Sequence, residues 1–348
     1  MMPNVLVIGA GQAGLATGYF LRESKIPFEI LEAAPRIGDS WRKRYASLTL
    51  FTPRQFSSLP GLGMAGNRDG YATRNEFADY LEAYAKRLQL PIRTGTRVQK
   101  LARASEGFVV ELSSGEVMRA SHVVIATGGF QVPLRPSLAS GFGPEVVQLS
   151  AEDYRTPSQV GPEPLLIVGD GASGRDISVE LASGRLTWLA TGKPRRLFPE
   201  RLLGKSIWWW LARLGLLQAS PESFVGRLMR RADAFPDRDR NLGSMRRRGI
   251  RIVPRLTAAA GRSATFADGT TADIATVIWA IGYKDDSTWV AIPGATDERG
   301  TFIHNAGVSP VPGLFFVGRP WQRNRASALI MGAGPDARVI VEQIAKDS

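Results

Sequence analysis

A chain of 348 residues that is 44% apolar and 22% charged is large enough for two hydrophobic cores and has the balance of an ordinary soluble globular protein. Its net charge of +12 is scattered along the whole length, without the interleaved aromatics or recognition-helix pattern of a nucleic-acid binder. Cysteine is absent, which excludes disulfides, thiolate metal sites and electron relay through a cysteine pair; two histidines, His122 and His304, are too few for a histidine-built metal centre.

The chain enters a strand at once in "NVLVIGAG", with no basic n-region or signal cleavage pattern, so a cytoplasmic protein is expected. That run is short, continuous and rich in β-branched residues, as suits a strand buried on both faces of a parallel sheet. "QAGLATGYFLRES" continues with helical spacing and "PFEILEAA" returns as a strand, which completes a βαβ unit. In its loop "GAGQAG", Gly9 permits the tight turn, Gly11 lets the backbone approach a pyrophosphate and Gly14 allows close packing of helix on strand. Gln12 and Ala13 open the helix, whose N-terminal N–H groups suit phosphate. Glu32 ends the second strand, where a carboxylate can accept hydrogen bonds from a ribose 2′-hydroxyl.

An amphipathic helix "TRNEFADYLEAYAKRL" and strands "FVVELSS" and "HVVIATGG" follow, and residues 154–164, rich in Pro and Gly, read as a linker. The first grammar then recurs: strand "LLIVG", turn "DGASG", helix "RDISVELAS", strand "LTWLAT". Gly169, Gly171 and Gly174 take the three glycine roles, with Ser173 in the turn. The position that corresponds to Glu32 is Gly192, and Lys193, Arg195 and Arg196 crowd beside it; these cations would attract a 2′-phosphate that a carboxylate would repel, although cations after a strand also occur as plain surface.

"SIWWWLARLGLL" is too short to span a bilayer and reads as a buried or cleft-lining helix, or else as an interfacial membrane contact; its thin polar face favours the first. "MRRRGIRIVPRL" reads as a solvated helix end leading into a strand.

"ATGG" after "HVVI" (Ala126, Thr127, Gly128) and "WAIGY" after "ATV" (Ala280, Gly282) resemble the crossover signatures of two-dinucleotide flavoproteins. With "RIGDSWRKRYASLTLFTPRQFSSLPG", "YATRNEFADYLEAYA" and "GRPWQRNRASALIMGAG", the chain resembles the class B flavin-containing monooxygenase-like family, in its bacterial CzcO-like subgroup, over nearly its entire length. The resemblance implies an α/β fold of two Rossmann-like domains, with FAD on the first loop and NADPH on the second. It implies a discontinuous FAD domain, residues 1–155 and 285–348, with the NAD(P)H domain, 156–284, inserted. By the same resemblance Trp41 and Thr52 lie beside the isoalloxazine, Val98 meets the adenine, and Thr127 lines the crossover.

Two departures from the family pattern stand out. After Gly318 many such flavoproteins carry an Asp that contacts the ribityl chain; here Arg319 follows, leaving Gln322 or backbone amides to substitute. The monooxygenase fingerprint places His four residues before an aromatic; here Ser150 precedes Tyr154. The expected activity is an FAD-dependent, NADPH-using monooxygenase that oxygenates a small organic substrate, a heteroatom or ketone, with oxygen through a C4a-peroxyflavin. The cofactor carries that chemistry, so no catalytic side chain is assigned. The alternatives are an NAD(P)H dehydrogenase that passes electrons to a quinone or protein acceptor, and a redox sensor with bound FAD.

Overall fold

The computed structural model describes residues 4–195, 197–232 and 234–347. Strand β1 (Val5–Ile8) leads into helix α1 (Gln12–Glu23) and strand β2 (Phe28–Leu31), and β1 pairs in parallel with β2 on one side and β3 (His122–Ile125) on the other. Leu314–Phe316 and Ile92–Arg93 extend the sheet at its two edges, giving five parallel strands. Every residue of β1 is buried, because both faces are covered: Val5 and Val7 join a cluster with Leu15 and Ile340, while Leu6 and Ile8 join one with Leu101 and Phe108. This two-residue alternation within an unbroken apolar run is what a sandwiched parallel strand requires.

The second sheet repeats the plan. Strand β4 (Leu165–Val168), helix α2 (Ala172–Leu181) and strand β5 (Thr187–Ala190) follow one another, and β4 pairs in parallel with β5 and with β6 (Thr276–Trp279). Arg251–Val253 and Val147–Ser150 complete five parallel strands. Val147–Ser150, placed in the first domain by the boundary expected at residue 155, thus pairs in the second sheet.

Between the strands of this second sheet come α3 (Ile207–Arg213) and α4 (Phe224–Ala232), and helix α5 (Ile330–Asp347) closes the chain against α1. The amphipathic helix forms at Arg74–Arg87, started by a capping box between Thr73 and Glu76, a device worth about 1 kcal/mol. The basic run spans a helix end (Leu242–Arg247) and the strand Arg251–Val253, as expected. Among the described residues no helix is long and apolar enough to cross a membrane.

Candidate dinucleotide sites

At the C-terminal end of β1 the backbone turns at Gly9 with φ +105°, and a Cβ there would stand 2.8 Å from the Ala126 carbonyl oxygen. A Cβ on Gly14 would lie 1.8 Å from the Gly9 carbonyl oxygen, so α1 presses directly on the loop. Gly11 differs: nothing lies within 4 Å of where its Cβ would be, and this open side is where a phosphate can approach the backbone. Leu15 is the first residue of α1 whose N–H reaches back to a carbonyl, that of Gly11, and the first turn carries no acid. The N–H groups ahead of it and the positive end of the helix dipole suit an anion. Glu32 accepts hydrogen bonds from the Ala10 N–H at 2.7 Å and the Ala34 N–H at 2.8 Å. It therefore shapes the loop as well as offering its remaining lone pairs to a ribose.

The second cradle repeats the glycine geometry. Gly169 has φ +107°, with a would-be Cβ 2.5 Å from the Ala280 carbonyl oxygen; that of Gly174 would fall 1.9 Å from the Gly169 carbonyl oxygen, and Gly171 again faces open space. The carboxylate, however, has changed sides. Asp170 occupies the loop position of Ala10, and its Oδ1 accepts the N–H of Gly192, the residue that stands where Glu32 does, at 3.1 Å. Its Oδ2 receives Arg175 Nη2 at 3.0 Å, and both side chains are buried. The strand end is thus left without a side chain: a Cβ on Gly192 would meet only Asp170 Oδ1, at 3.8 Å. Lys193 is exposed beside it, while Arg195 Nε lies 3.8 Å from Asp170 Oδ1 and leans partly on that carboxylate. Arg196 lies outside the described residues. Ser173, in the first turn of α2, sits against the Tyr45 hydroxyl, which donates to Asp176 at 3.0 Å; burial first, then Asp176, holds that phenol well above its ordinary pKa.

Two crossovers join the sheets and match each other. The Ala126 N–H donates to the Ile8 carbonyl at 2.9 Å and the Ala280 N–H to the Val168 carbonyl at 2.8 Å, and Gly128 and Gly282 follow with φ +75° and +102°. The crossovers then meet: Val132–Pro133 pairs antiparallel with Tyr283–Lys284. Gln131 donates to Thr127 and to the Gly128 carbonyl, and accepts the Asp286 N–H at 2.6 Å. Arg319 is buried here, ion-paired with Asp285, donating to the Gly128 carbonyl at 3.1 Å and lying over the Phe302 ring. The residue that replaces the family's ribityl-contacting Asp therefore fastens the crossovers together. Gln322 accepts the Arg319 N–H at 3.2 Å, and Gly318 abuts α1, a Cβ there falling 2.8 Å from that of Ala13.

Trp41 reaches the start of α1, its Nε1 donating to Gln12 Oε1 at 3.3 Å, and packs edge-on against Phe77. Thr52 is buried, its hydroxyl paired with Ser57 at 2.8 Å. Val98 follows a segment tied to the strand end by hydrogen bonds from Gly95 to Ala34 and from Thr96 to Glu32, so it lies on the Glu32 side of the first cradle. Ser150 caps a turn through Asp153, and Tyr154 is fully buried with its hydroxyl on Glu180; both are structural.

Residues 6–196 match the family described as pyridine nucleotide-disulphide oxidoreductase. A CzcO-like oxidoreductase of Geobacillus kaustophilus is 44% identical over 98% of this chain and 98% of its own. The chain belongs to the pyridine nucleotide-disulphide oxidoreductase family. Among solved structures, the flavin-containing monooxygenase from Stenotrophomonas maltophilia is similar over 99% of both chains, with TM-score 0.83 and 27% identity. Indole-3-pyruvate monooxygenase YUCCA1 of Oryza sativa is 25% identical over 89% of this chain and 83% of its own. The protein is a flavin-dependent enzyme with the two-domain FAD/NADP Rossmann-type fold. Having no cysteine, it cannot relay electrons through a dithiol of its own, whatever the family's description suggests.

Three features escaped sequence reasoning. Asp170 lies in the loop "GDGASG", five residues before Arg175, and this spacing was a usable signal. The Arg319–Asp285 pair joins residues far apart in sequence and carried none. Asp336, in α5, is fully buried beside Arg323 (3.5 Å) and Ser327, and burial pushes its carboxyl up to about 6.

Proposed function

We propose that the protein is an FAD-dependent, NADPH-using monooxygenase acting on a small organic substrate, with FAD in the first cradle and NADPH in the second. When bound, FAD supplies acceptance of hydride from the reduced nicotinamide and activation of oxygen. Loop amides around Gly11 and the start of α1 hold its pyrophosphate, Glu32 the ribose, and the segment at Val98 the adenine; Trp41 and Thr52 flank the ring system. Gly192 leaves room for a 2′-phosphate and Lys193 offers the charge.

The single observation that carries this reading is the matched pair of glycine cradles, which differ in where the carboxylate sits. End-to-end similarity to a flavin-containing monooxygenase supports the choice of reaction. The division into a discontinuous FAD unit and an inserted NADPH unit is part of the proposal, the second unit beginning before Val147.

The α3 helix supports a water-excluding role at the substrate side. Trp208 is buried, donates to the Phe51 carbonyl at 2.8 Å and stacks on that ring, in a cluster with Phe56, Leu329 and Met331. It thereby covers the segment next to Thr52 and the start of α5, whose N-terminus suits negative charge on a reduced flavin.

The test is an anaerobic titration of the purified yellow protein with NADPH followed by admission of oxygen. Bleaching by NADPH, then oxygen uptake coupled to oxygenated product from sulfide or ketone probes, is expected. Fast reduction of a soluble quinone with no oxygenated product would establish the dehydrogenase alternative instead, and a colourless protein that refuses FAD would end both.

A further inference from the structure

We propose that the outer face of α4 is a docking surface for an anionic lipid bilayer. The sequence directs attention to the tryptophans of α3, of which Trp208 is buried and Trp209 and Trp210 are half-buried. The surface that remains uncovered belongs to the elements that ride on that helix.

Helix α4 has more apolar surface than the protein covers. Met229 packs into the cluster of Ile207, Trp208, Leu211 and Leu217, and Gly226 is pressed so closely on Ser220 that a Cβ would lie 1.9 Å from its carbonyl oxygen. Phe224 and Leu228, one turn apart, are left 75% and 57% exposed. On the same outward stripe, at helical spacing, stand Arg227 and Arg231, with Arg230 next to them, all exposed. The helix carries three arginines and no acid; Glu222 precedes it, and Asp233, after it, lies outside the described residues. Two further exposed apolar groups are held on α3. The hairpin Arg201–Leu202 with Lys205–Ser206 is fastened to α3 by Trp210 Nε1 on the Leu202 carbonyl at 2.9 Å, and presents Leu203 at its tip, 83% exposed. Leu214, which ends α3, is 64% exposed beside Arg213.

Large exposed apolar side chains interleaved with cations are what an interfacial helix presents to lipid: the rings and aliphatic chains enter the acyl boundary while the arginines meet anionic headgroups. A polyanion in water, such as nucleic acid, would give Phe224 and Leu228 nothing to bury against. A second copy meeting this face across a two-fold axis would set arginine against arginine. An anionic bilayer is the occupant that satisfies both the charge and the apolar area. The inference concerns where the enzyme works and is independent of which redox reaction it performs.

The experiment is flotation of the full-length, flavin-loaded protein with phosphatidylglycerol vesicles and with pure phosphatidylcholine vesicles. Binding to the anionic vesicles is expected to be at least about tenfold tighter and to weaken as salt rises. Phe224→Ser with Leu228→Ser, and separately Arg227→Glu with Arg231→Glu, should each lower it about tenfold or more, while flavin content and thermal unfolding stay at wild-type values. Equal failure to bind either vesicle would overturn the proposal. So would unchanged binding by the serine variant, or a dimer in sedimentation velocity that the same substitutions dissociate. Because the readout is vesicle capture, its failure leaves the monooxygenase reading intact.

Discussion

The two cradles share a backbone and differ in the ownership of one carboxylate. In the first, the strand end supplies it: Glu32 reaches across and accepts the amide of Ala10. In the second, the loop supplies it: Asp170 reaches the opposite way and accepts the amide of Gly192. Either arrangement ties loop to strand, so the fold tolerates both. What changes is the space beyond the strand end, filled by a carboxylate in one case and left open next to Lys193 in the other. The same hydrogen-bond link is kept while the charge at the strand end is altered, and under the proposed function that end is where the ribose lies.

The comparison breaks most completely at its shared glycines. Gly14→Ala and Gly174→Ala each drive a Cβ into backbone, at 1.8 and 1.9 Å. The first should abolish FAD retention, read as loss of visible colour; the second should leave a yellow protein that NADPH no longer bleaches. Asp170→Ala comes next, since it strands the buried Arg175 without its counter-ion, and should cost about 3–5 kcal/mol in urea unfolding. Glu32→Ala, which exposes only half-buried amides, should cost less, about 1–3 kcal/mol.

Asp336, fully buried in α5, adds a pH dependence. Burial raises its carboxyl to about 6 from 3.8, so the folded state prefers it protonated. Stability from this group is fully present below the unfolded pKa and falls as pH rises through the folded one, reaching a constant cost of up to about 3 kcal/mol above it. Asp336→Asn should therefore raise the unfolding midpoint at about pH 7.5, with the gain vanishing near pH 4. The smallest effect is the most specific. Gly192→Glu, which restores the first cradle's carboxylate at the second, should lower the preference for NADPH over NADH by about tenfold in kcat/KM, and Lys193→Ala should shift it the same way.

Much of this was legible in the sequence because it is local. The glycine spacing, the apolar strands and Glu32 all lie within one βαβ unit, where period and turn chemistry leave few options. The amphipathic helix at Arg74–Arg87 was likewise readable from its own period. The rest depended on contacts that sequence distance conceals. Val147–Ser150 pairs with β6, more than a hundred residues later, and so sits beyond the boundary expected at 155. Arg319 looked like the loss of a flavin contact and proves to be half of a buried pair with Asp285. The tryptophan run left its environment ambiguous, since one apolar stretch serves a core or an interface equally well; only the packing of Trp208 on Phe51 decides it.

The short antiparallel ladder at Val132–Pro133 and Tyr283–Lys284 gathers both passages of the chain between the sheets into one place. Arg319, which donates to the Gly128 carbonyl on one passage and pairs with Asp285 on the other, adds a side-chain tie to that backbone one.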